Sequence, residues 1–415
     1  MRNNTSWLQH IPKHWEVKRL KDVVSCNDDV LPDNLNANST IQYIEISDVD
    51  SDKGITNVSN ISFGEAPSRA RRITKKGDIV VSTVRTYLKA IATIHDDDLI
   101  VSTGFAVLRP NPTIISSFLH YAILNEYVLD DIIKNSTGVS YPAIQSSKLI
   151  AMPIPLPPLS EQEKIARYLD TKVGEIDQKV SLIEKKIEHY QLLKKSIINK
   201  VVTKGLHPEA PLKDSQISWL GQIPEHWEVK RFKSIARTIK GKVVEYFDTP
   251  SDDANIVLTV DTLRNDNPQF LNYAVTSDTD QLCKVNDIIV IWDGAGVGEF
   301  LRAKEGLISS TTARIDVNKS IVNKDYFWYF GDKIEEIMKH MPTGMGIPHL
   351  NPIILSNMQF TLPPLSEQQE IVSYLDQRCA DIDAIIANCT AQIEKYKTLK
   401  RALINEVVTG QRTIE

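Results

Sequence analysis

A glycine-rich turn in the second half of the chain has the residue types that most suggest chemistry. In IIVIWDGAGVGEF (288–300), three glycines are spaced closely after an apolar run. Such spacing is typical of loops that hold a nucleotide or S-adenosylmethionine through backbone N–H groups. A dinucleotide fold also requires a helix directly after the loop, and an acidic residue about 20 residues further on. The following LRAKEGLISS (301–310) favours another strand instead, so we interpret the turn as part of a β-hairpin.

No other pattern indicates a catalytic centre, a metal site or a cofactor site in this chain. The phosphate-loop pattern GxxxxGK[ST] and the metalloprotease pattern HExxH are absent, as are tetrapeptides in which Asn or Asp precedes Pro-Pro and an aromatic residue. The four cysteines lack CxxC spacing, and the nine histidines lack metal-ligand spacing. His14 and His226 each precede a tryptophan, in IPKHWE and IPEHWE, where we expect aromatic packing rather than chemistry.

Composition and charge indicate a cytoplasmic protein of two or three domains. The 415 residues are 42% hydrophobic and 24% charged, which is typical of a soluble globular protein. No apolar run approaches the roughly 20 residues needed to cross a bilayer, and the N-terminal residues lack the apolar core of a signal peptide. The net charge of −5 argues weakly against a chain coated in nucleic acid.

Two local basic segments nevertheless favour a nucleic-acid face. RARRITKK (69–76) has five basic residues in eight, and KRFKSIARTIKGK (230–242) contains no acidic residue. Each segment could simply be a solvated surface. Because one lies in each half of the chain, however, we interpret them as parts of a nucleic-acid-binding surface.

The sequence motifs that flank each basic segment occur twice in the chain. LPPLSEQEKIARYLD (156–170) returns as LPPLSEQQEIVSYLD (362–376), an offset of 206. WLQHIPKHWEVKRLK (7–21) returns as WLGQIPEHWEVKRFK (219–233), an offset of 212, and the sequences between these landmarks diverge. A period near 200 residues is far too long for a solenoid and indicates a tandem duplication.

The shared segment predicts a long helix. Ser160 followed by Glu163 matches a capping box, and apolar residues then alternate at spacings of three and four. Each helix would run for about 42 residues, or roughly 60 Å. We expect the two helices to pair antiparallel, although a generic dimerisation coiled coil is an alternative. Lys194 and Lys400 interrupt the stripe at equivalent places. The predicted seam residues are Ile165, Leu169, Ile176, Ile183, Ile187, Ile371, Leu375, Ile382, Ile386 and Ile393.

The variable regions predict a mixed α/β (α+β) fold. Segments 40–50, 77–85 and 99–110 have strand composition, and 117–135 has helix composition; 255–263, 286–292, 307–317 and 324–340 parallel them. We therefore divide the chain into a first variable domain (1–155), a shared helix (156–205), a second variable domain (206–361) and a second shared helix (362–415).

The repeated motifs resemble those of the specificity (S) subunit of type I restriction–modification enzymes. The resemblance rests on IPxHWEVKR, the TG…P loop, LPPLSEQ, the long heptad helix and the terminal VVT, each present twice across nearly the whole chain. It implies that each variable region is a target recognition domain for one half of a bipartite DNA site. The helices would then form an antiparallel coiled-coil spacer that fixes the gap within that site.

The resemblance also implies partners. Two methyltransferase (M) subunits would dock on the helices and methylate adenine with S-adenosylmethionine, which they and not this chain would bind. Motor–nuclease (R) subunits would join for restriction, and the S subunit would perform no chemistry. A methylation-only or other phage-defence system is one alternative. A coiled-coil tether whose globular ends bind proteins is another.

Basic and aromatic residues of the variable regions are the candidates for contact with double-stranded DNA, because base and phosphate recognition requires hydrogen-bond donors on a rigid frame. In the first domain they are Arg69, Arg71, Arg72, Lys75, Arg85, Tyr87 and Lys89, with Thr137, Gly138, Ser140 and Tyr141 of the TG loop. In the second domain they are Lys240, Lys242, Arg264, Arg302 and Arg314, with Thr343, Gly344, Met345 and His349.

Overall fold

Two long helices, Leu159–Lys204 and Leu365–Val408, each divide between two structural units. In this computed structural model, residues 11–50, 52–341 and 346–414 are described. Unit 1 comprises Met1–Lys185 and Cys389–Glu415, and unit 2 comprises Lys186–Asn388. Each unit thus contains one variable domain with half of each long helix.

Unit 1 contains twelve strands among its described residues. They are β1 (Glu16–Arg19), β2 (Val24–Cys26), β3 (Thr40–Ile44), β4 (Val49–Asp50), β5 (Gly54–Ile55), β6 (Ser59–Ser62), β7 (Ala70–Ile73), β8 (Ile79–Ser82), β9 (Ile91–Thr93), β10 (Ile100–Ser102), β11 (Phe105–Pro110) and β12 (Pro153–Leu156). The helices that begin in this unit are α1 (Leu20–Val23), α2 (Ser116–Leu124), α3 (Glu126–Lys134), α4 (Ser146–Leu149) and α5 (Leu159–Lys204).

Unit 2 also contains twelve strands among its described residues, but some of the connections between them differ from those of unit 1. Its strands are β13 (Leu212–Asp214), β14 (Gln222–Pro224), β15 (Glu228–Arg231), β16 (Ala236–Lys240), β17 (Asn255–Leu258), β18 (Tyr273–Ala274), β19 (Leu282–Cys283), β20 (Ile288–Ile291), β21 (Phe300–Arg302), β22 (Gly306–Ile308), β23 (Thr312–Val317) and β24 (Gln359–Leu362). Its helices are α6 (Phe232–Ile235), α7 (Val260–Arg264), α8 (Lys324–Trp328), α9 (Gly331–His340), α10 (Pro352–Asn357) and α11 (Leu365–Val408).

The two variable domains share one sheet topology although their sequences have diverged. Unit 1 has four-stranded sheets in the orders β6-β3-β10-β7 and β2-β11-β8-β9. Unit 2 has the orders β18-β17-β22-β19 and β16-β23-β20-β21. In each unit one strand pair is parallel, β3 with β10 and β17 with β22. The mixed α/β class and the tandem repeat are therefore confirmed.

The repeated sequence motifs meet in space within each unit. The EVKR strand β1 pairs antiparallel with β12, which directly precedes the long helix, so that Glu16 lies opposite Leu156. The second EVKR strand, β15, pairs with β24 in the same register, so that Glu228 lies opposite Leu362. The beginning and the end of each variable domain are thus joined by one two-stranded ladder, which explains why both motifs recur together.

Several local sequence predictions were wrong. The helix expected at 324–340 is divided into α8 and α9, and the strand expected at 255–263 ends at Leu258 and is followed by α7. The helix expected at 117–135 is two helices, because Asn125 leaves the helical conformation and its side chain caps α3 by accepting a hydrogen bond from Tyr127 N at 2.8 Å. The capping box at Ser160 is absent because α5 begins one residue earlier, at Leu159. Pro158 O instead accepts the first backbone hydrogen bonds of the helix, from Glu161 and Gln162.

Buried glutamines perform the anchoring that the LPPLSEQ motif encodes. Gln162 is fully buried; its Oε1 accepts from Ile115 N at 2.9 Å and its Nε2 donates to Thr113 O and Pro157 O. Gln368 is also fully buried and makes the same three contacts, with Asn323 N, Ile321 O and Pro363 O. Each amide satisfies a buried loop backbone, so the variable domain is fixed to the first turn of its helix.

The neighbouring glutamates hold the His-Trp pairs. Glu161 accepts a hydrogen bond from Trp15 Nε1 at 2.8 Å, and His14 Nε2 lies 2.9 Å from the same carboxylate. In the same way, Glu367 accepts a hydrogen bond from Trp227 Nε1 at 3.0 Å, and His226 Nε2 lies 2.8 Å from its carboxylate. The aromatic packing expected at these motifs is therefore accompanied by a shared carboxylate at the start of each long helix.

The long helices run antiparallel within each unit, as predicted. In unit 1, Lys400 Nζ of α11 lies 2.8 Å from Asp177 of α5. In unit 2, Lys194 Nζ of α5 lies 2.7 Å from Asp383 of α11. Both lysines and both aspartates are related by the repeat offset of 206. The two ion pairs are therefore reciprocal: in each, the lysine of one repeat contacts the aspartate of the other. The lysines that interrupt the apolar stripe are thus neutralised across the helix pair.

Most of the predicted seam residues are buried. Ile165, Leu169, Ile176, Ile371, Leu375, Ile382 and Ile393 are buried, whereas Ile183, Ile187 and Ile386 are half-buried. Cys379 and Cys389 are buried with them, and all four cysteines of the chain are free thiols. None of the helices in the described part of the chain has both the length and the hydrophobicity needed to cross a bilayer.

We expect replacement of Lys400 by alanine to destabilise the protein more than replacement of Lys194. The Lys400 side chain is 11% exposed and that of Lys194 is 31% exposed, so Lys400→Ala removes the more buried of the two ion pairs. We predict a loss of about 1–3 kcal/mol for Lys400→Ala and under about 1 kcal/mol for Lys194→Ala. Urea unfolding followed by circular dichroism measures both, and equal losses would contradict the prediction.

Candidate nucleic-acid interface

Two loops pack against each other at one end of each variable domain. In unit 1, the loop after β8 meets the TG loop: Ile144 N donates to Thr83 O at 2.8 Å, and Arg85 N donates to Pro142 O at 2.8 Å. In unit 2, Leu350 N donates to Trp292 O at 2.8 Å, and Gly294 N donates to Pro348 O at 2.9 Å. These matching bonds show that the two loop pairs are structurally equivalent, with Arg85 in the place of Gly294.

The glycine-rich turn is a β-hairpin connection, as predicted. β20 pairs antiparallel with β21, and Gly294 and Gly298 adopt φ angles of 105° and 87°. At the equivalent positions of unit 1, Arg85 and Lys89 adopt φ angles of 50° and 53°. The glycines of unit 2 therefore lie at the positions where this turn requires a positive φ angle.

The positive φ angles of Arg85 and Lys89 are unusual for residues with long side chains. The left-handed conformation costs an L-residue on the order of 1–2 kcal/mol. Such strain is concentrated at functional sites, where the surrounding structure holds the residue in place. Here the intervening 3₁₀ turn Thr86–Leu88 and the hydrogen bond between Thr86 Oγ1 and Ser136 Oγ, 2.7 Å long, hold the loop. The backbone at Arg85 is therefore held by contacts of the neighbouring residues.

Arg85 is the centre of an exposed cationic and aromatic surface in unit 1. Its guanidinium lies 4.6 Å from the ring centroid of Tyr141, and it forms no ion pair with any residue in the described ranges. Tyr87, Leu88 and Val139 are also exposed. We call these five residues the Arg85 patch. Exposed apolar side chains grouped in this way mark an interaction surface.

Gly138 shapes the TG loop beside this patch. It has a φ angle of 115°, and a Cβ atom there would lie 2.9 Å from Tyr141 O. Thr137 and Ala143 close the loop with two backbone hydrogen bonds of 2.9 Å, so that Ser140 and Tyr141 lie exposed at its tip. These contacts set the backbone conformation of the loop that carries Tyr141.

The basic segment at 69–76 lies near the same loops but its side chains are engaged. Thr103 N donates to Arg69 O and Thr83 N donates to Gly104 O, each at 2.8 Å, so one turn links the segment to the loop of Arg85. Arg69 pairs with Glu45 at 2.6 Å. Burial acts to raise the pKa of Glu45, but hydrogen bonds from Tyr43 and Arg69 outweigh it and lower that pKa.

The other predicted cations of this segment also have partners. Arg71 lies over the Phe63 ring at 5.0 Å, and Lys75 lies 3.5 Å from Asp29. Arg72 donates to Thr103 O at 3.3 Å, while its buried Nε has no partner, and burial lowers its pKa. Arg69, Arg71 and Lys75 each lie within 4.0 Å of a carboxylate, whereas Arg85 has no such partner in the described part of the chain. Lys89 faces a different feature, a groove beside the long helices.

The equivalent loop pair of unit 2 carries different chemistry. Asp293 holds Lys240 at 3.1 Å and His349 Nδ1 at 2.6 Å, and Lys240 also lies 5.6 Å from the Trp292 ring. The structure thus brings the predicted residues Lys240 and His349 together around a carboxylate. Thr343, Gly344 and Met345 lie outside the described residues.

The remaining predicted cations of unit 2 do not join this cluster. Lys242 pairs with Asp278 at 2.7 Å, and Arg264 pairs with Glu299. Arg302 pairs with Asp325 at 2.9 Å and lies over the Trp328 ring at 4.2 Å. Arg314 donates to the backbone oxygen of Leu282. Each of these contacts ties neighbouring elements of the domain together.

Sequence reasoning missed several residues of both surfaces. Leu88 and Val139 are apolar loop residues without a motif, and Asp293 was considered only within a possible cofactor loop. An alignment of VRTYLK with DGAGVG at an offset of 209 would have identified Asp293 and Gly294 as the counterparts of Val84 and Arg85. That alignment contains no identical residue, so only the backbone hydrogen bonds reveal it.

The described residues contain neither a cluster of metal ligands nor an activated thiol at Cys283 or Cys379. No group of three or more His, Cys, Asp and Glu side chains among them could hold a metal ion. Burial raises the pKa of the Cys283 thiol to about 12 and also raises the pKa of Cys379, so neither is an activated nucleophile.

We predict opposite effects for substitutions at the equivalent positions Lys89 and Gly298. Lys89→Gly relieves a left-handed backbone and should leave stability unchanged or raise it by up to about 1 kcal/mol. Gly298→Ala should destabilise by about 1–3 kcal/mol, because its φ is unfavourable for alanine. The new Cβ would also lie 2.6 Å from Met338 Cβ. Thermal unfolding measures both changes, and a destabilised Lys89→Gly protein would count against the assigned strain.

Comparison with known proteins bears on the whole chain. The sequence matches the family described as the type I restriction modification DNA specificity domain over residues 12–189 and again over 224–395. Together these two matches cover most of the chain and agree with the internal repeat.

Individual relatives carry the same description. The chain is 27% identical to the putative type I restriction enzyme MjaX specificity subunit of Methanocaldococcus jannaschii, covering 97% of this chain and 95% of that protein. It is 29% identical to the MjaVIII specificity subunit of the same organism, over 45% of this chain and 43% of that protein. It is 24% identical to the EcoBI specificity subunit of Escherichia coli, over 68% of this chain and 63% of that protein.

A solved structure has the same fold. It comes from work on complex assembly and conformational transition of the type I R-M system, with a TM-score of 0.74 at 24% identity. The match covers 97% of this chain and 99% of that chain.

Proposed function

The chain belongs to the type I restriction-modification DNA specificity family, and we propose that each of its two units recognises one half of an asymmetric, bipartite DNA site. In this proposal the chain performs no chemistry itself. It selects the sequence on which partner subunits act, and the two loop pairs are the surfaces that meet the DNA bases.

The observation that carries the proposal is the unlike chemistry of two equivalent loop pairs. Unit 1 presents Arg85 over Tyr141, whereas unit 2 presents Asp293 between Lys240 and His349. An arginine side chain recognises the O6 and N7 acceptors of guanine in the major groove, and a carboxylate accepts from the amino group of cytosine. Two such surfaces on one scaffold suit two different half-sites.

The engaged cations would have a second role. Arg69 and Lys75 lie in exposed positions beside the loops of unit 1, and each already pairs with a carboxylate. Contacts with phosphates position a protein on the duplex without recognising sequence, and they weaken as salt concentration rises. We assign these residues to positioning and Arg85 to base recognition.

The long helices would set the gap between the half-sites and receive the partners. Their 46 and 44 residues correspond to about 69 and 66 Å. That length exceeds one turn of the duplex, about 34–36 Å, so each half-site can lie on its own turn. We propose that two methyltransferase subunits dock on the helices and supply S-adenosylmethionine and the methyl transfer.

Motor–nuclease subunits would complete a restriction enzyme, and a methylation-only system would lack them. The described surfaces serve either arrangement equally, because sequence recognition is required in both.

Mapping of methylated adenines tests the proposal. Cells that express the chain with its methyltransferase subunit should show N6-methyladenine only at one asymmetric motif with a fixed internal gap. Deletion of the gene for this chain should abolish that methylation. Unchanged methylation after deletion, or methylation without a motif, would refute the proposed function.

Arg85→Ala should relax the recognition of one half-site. We expect affinity for the cognate duplex to fall about 10–100-fold, with lost discrimination at one base pair, because a bidentate arginine–guanine contact contributes about 1–3 kcal/mol. Electrophoretic mobility shifts of the assembled complex against singly substituted duplexes measure the change. Lys240→Ala is the matched control and should leave that half-site unaffected; equal relaxation of both half-sites by Arg85→Ala would contradict the assignment.

A further inference from the structure

A wide groove lies beside the long helices in unit 2. It has a volume of about 960 Å³ and is walled by α5, by the segment from α8 to α9, and by α11. Charged residues of all three walls line it, including Glu188 and Lys194 of α5 and Asp332 of α9. We call it the unit 2 groove.

Unit 1 contains the equivalent groove in a filled form. Glu394, Lys400 and Arg401 of α11 line it at the positions that correspond, at an offset of 206, to Glu188, Lys194 and Lys195 of α5. Its volume is only about 210 Å³.

The turn residue Asp52, between β4 and β5, lies in the unit 1 groove. Its carboxylate is 3.5 Å from Lys397 Nζ, and its backbone oxygen is 3.4 Å from Lys400 Nζ. Lys400 is therefore nearly buried, whereas the equivalent Lys194 keeps the same helix-pair contact yet remains more open to solvent. A turn of polypeptide is thus the natural occupant of such a groove.

Unit 2 does not supply this turn from its own described residues. After β3, unit 1 forms the β4–β5 hairpin, whereas after β17 the chain of unit 2 forms α7 and then reaches β18. The difference lies in the variable region, where the first domain is longer than the second by six residues.

The two grooves have opposite charge. The unit 1 groove carries Lys89, Lys397, Lys400 and Arg401 against Glu126 and Glu394, and it receives an aspartate. The unit 2 groove carries Glu188, Asp332, Glu335, Asp376 and Asp383 against only Lys194 and Lys195. Within the described ranges, Glu188 and Asp332 form no ion pair. A basic occupant would neutralise these carboxylates, and DNA phosphates would be repelled by them.

We propose that the unit 2 groove receives a basic turn of a methyltransferase subunit. The inference rests on the proposed function, which requires a methyltransferase subunit both in a restriction enzyme and in a methylation-only system. It adds that only one such turn binds per chain, because the equivalent groove is already filled. The two methyltransferase subunits are therefore held by unequal contacts.

Charge reversal in the groove tests the proposal in the assembled complex. The variant carries Glu188→Lys together with Asp332→Lys, and the matched control is Glu394→Lys, which changes the equivalent helix position in the filled groove. Native mass spectrometry during titration with the methyltransferase subunit measures how many subunits bind and how tightly. We expect binding of one of the two subunits to weaken about tenfold or more in the variant, because like charges then face each other. We expect no change in the control.

Carbodiimide cross-linking identifies the occupant independently of folding. This reagent joins a carboxylate to a lysine amine in direct contact, so unmodified protein in the complex should yield a link from Glu188 or Asp332 to a lysine of the methyltransferase subunit. Equal binding by the variant and the control, or the absence of that link while two subunits are bound, would overturn the inference alone. Failure of the unmodified chain to bind any methyltransferase subunit would overturn the proposed function as well.

Discussion

The apolar stripe on each long helix is the constraint on which the rest of the structure depends. A single helix of this length cannot bury such a stripe, and each unit provides it with the antiparallel half of the other helix. The lysines within the stripe make the pairing specific, because a lysine removed from water is costly unless an anion meets it. Lys400 meets Asp177 and Lys194 meets Asp383, so a shift of register would break both contacts at once.

The first turn of each long helix anchors the variable domain to the helix pair. Gln162 and Gln368 bind loop backbones that would otherwise be buried without partners, and Glu161 and Glu367 hold the tryptophans at the start of each domain. Recognition of DNA bases requires donors and acceptors whose positions are fixed relative to a frame. A short motif that anchors the domain to the helix explains why LPPLSEQ is kept in both repeats while the recognition surfaces have diverged.

Divergence after duplication has changed side chains more than backbone. Two equivalent positions of this turn are glycines in unit 2 and left-handed cationic residues in unit 1, where Arg85 lies over Tyr141. The same helix positions line an open, acidic groove in unit 2 and a filled, basic one in unit 1. A conserved scaffold with unlike surfaces would suit the proposed recognition of two different half-sites and the proposed unequal partner contacts.

The sequence by itself determined the duplication and predicted the mixed α/β class and the antiparallel helices, because heptad spacing and repeated motifs are local patterns that survive divergence. It misplaced the start of α5 and missed the break at Asn125, because the contacts that decide them, with distant backbone and side chains, leave no periodic signal. Only the tertiary structure showed that Arg85 and Gly294 occupy equivalent positions. It also distinguished Arg85, which has no carboxylate partner in the described ranges, from cations such as Arg69 and Arg264, which have one. Whether a cation is available for DNA depends on which anions the fold brings within reach, and that is a property of three-dimensional neighbours rather than of sequence neighbours.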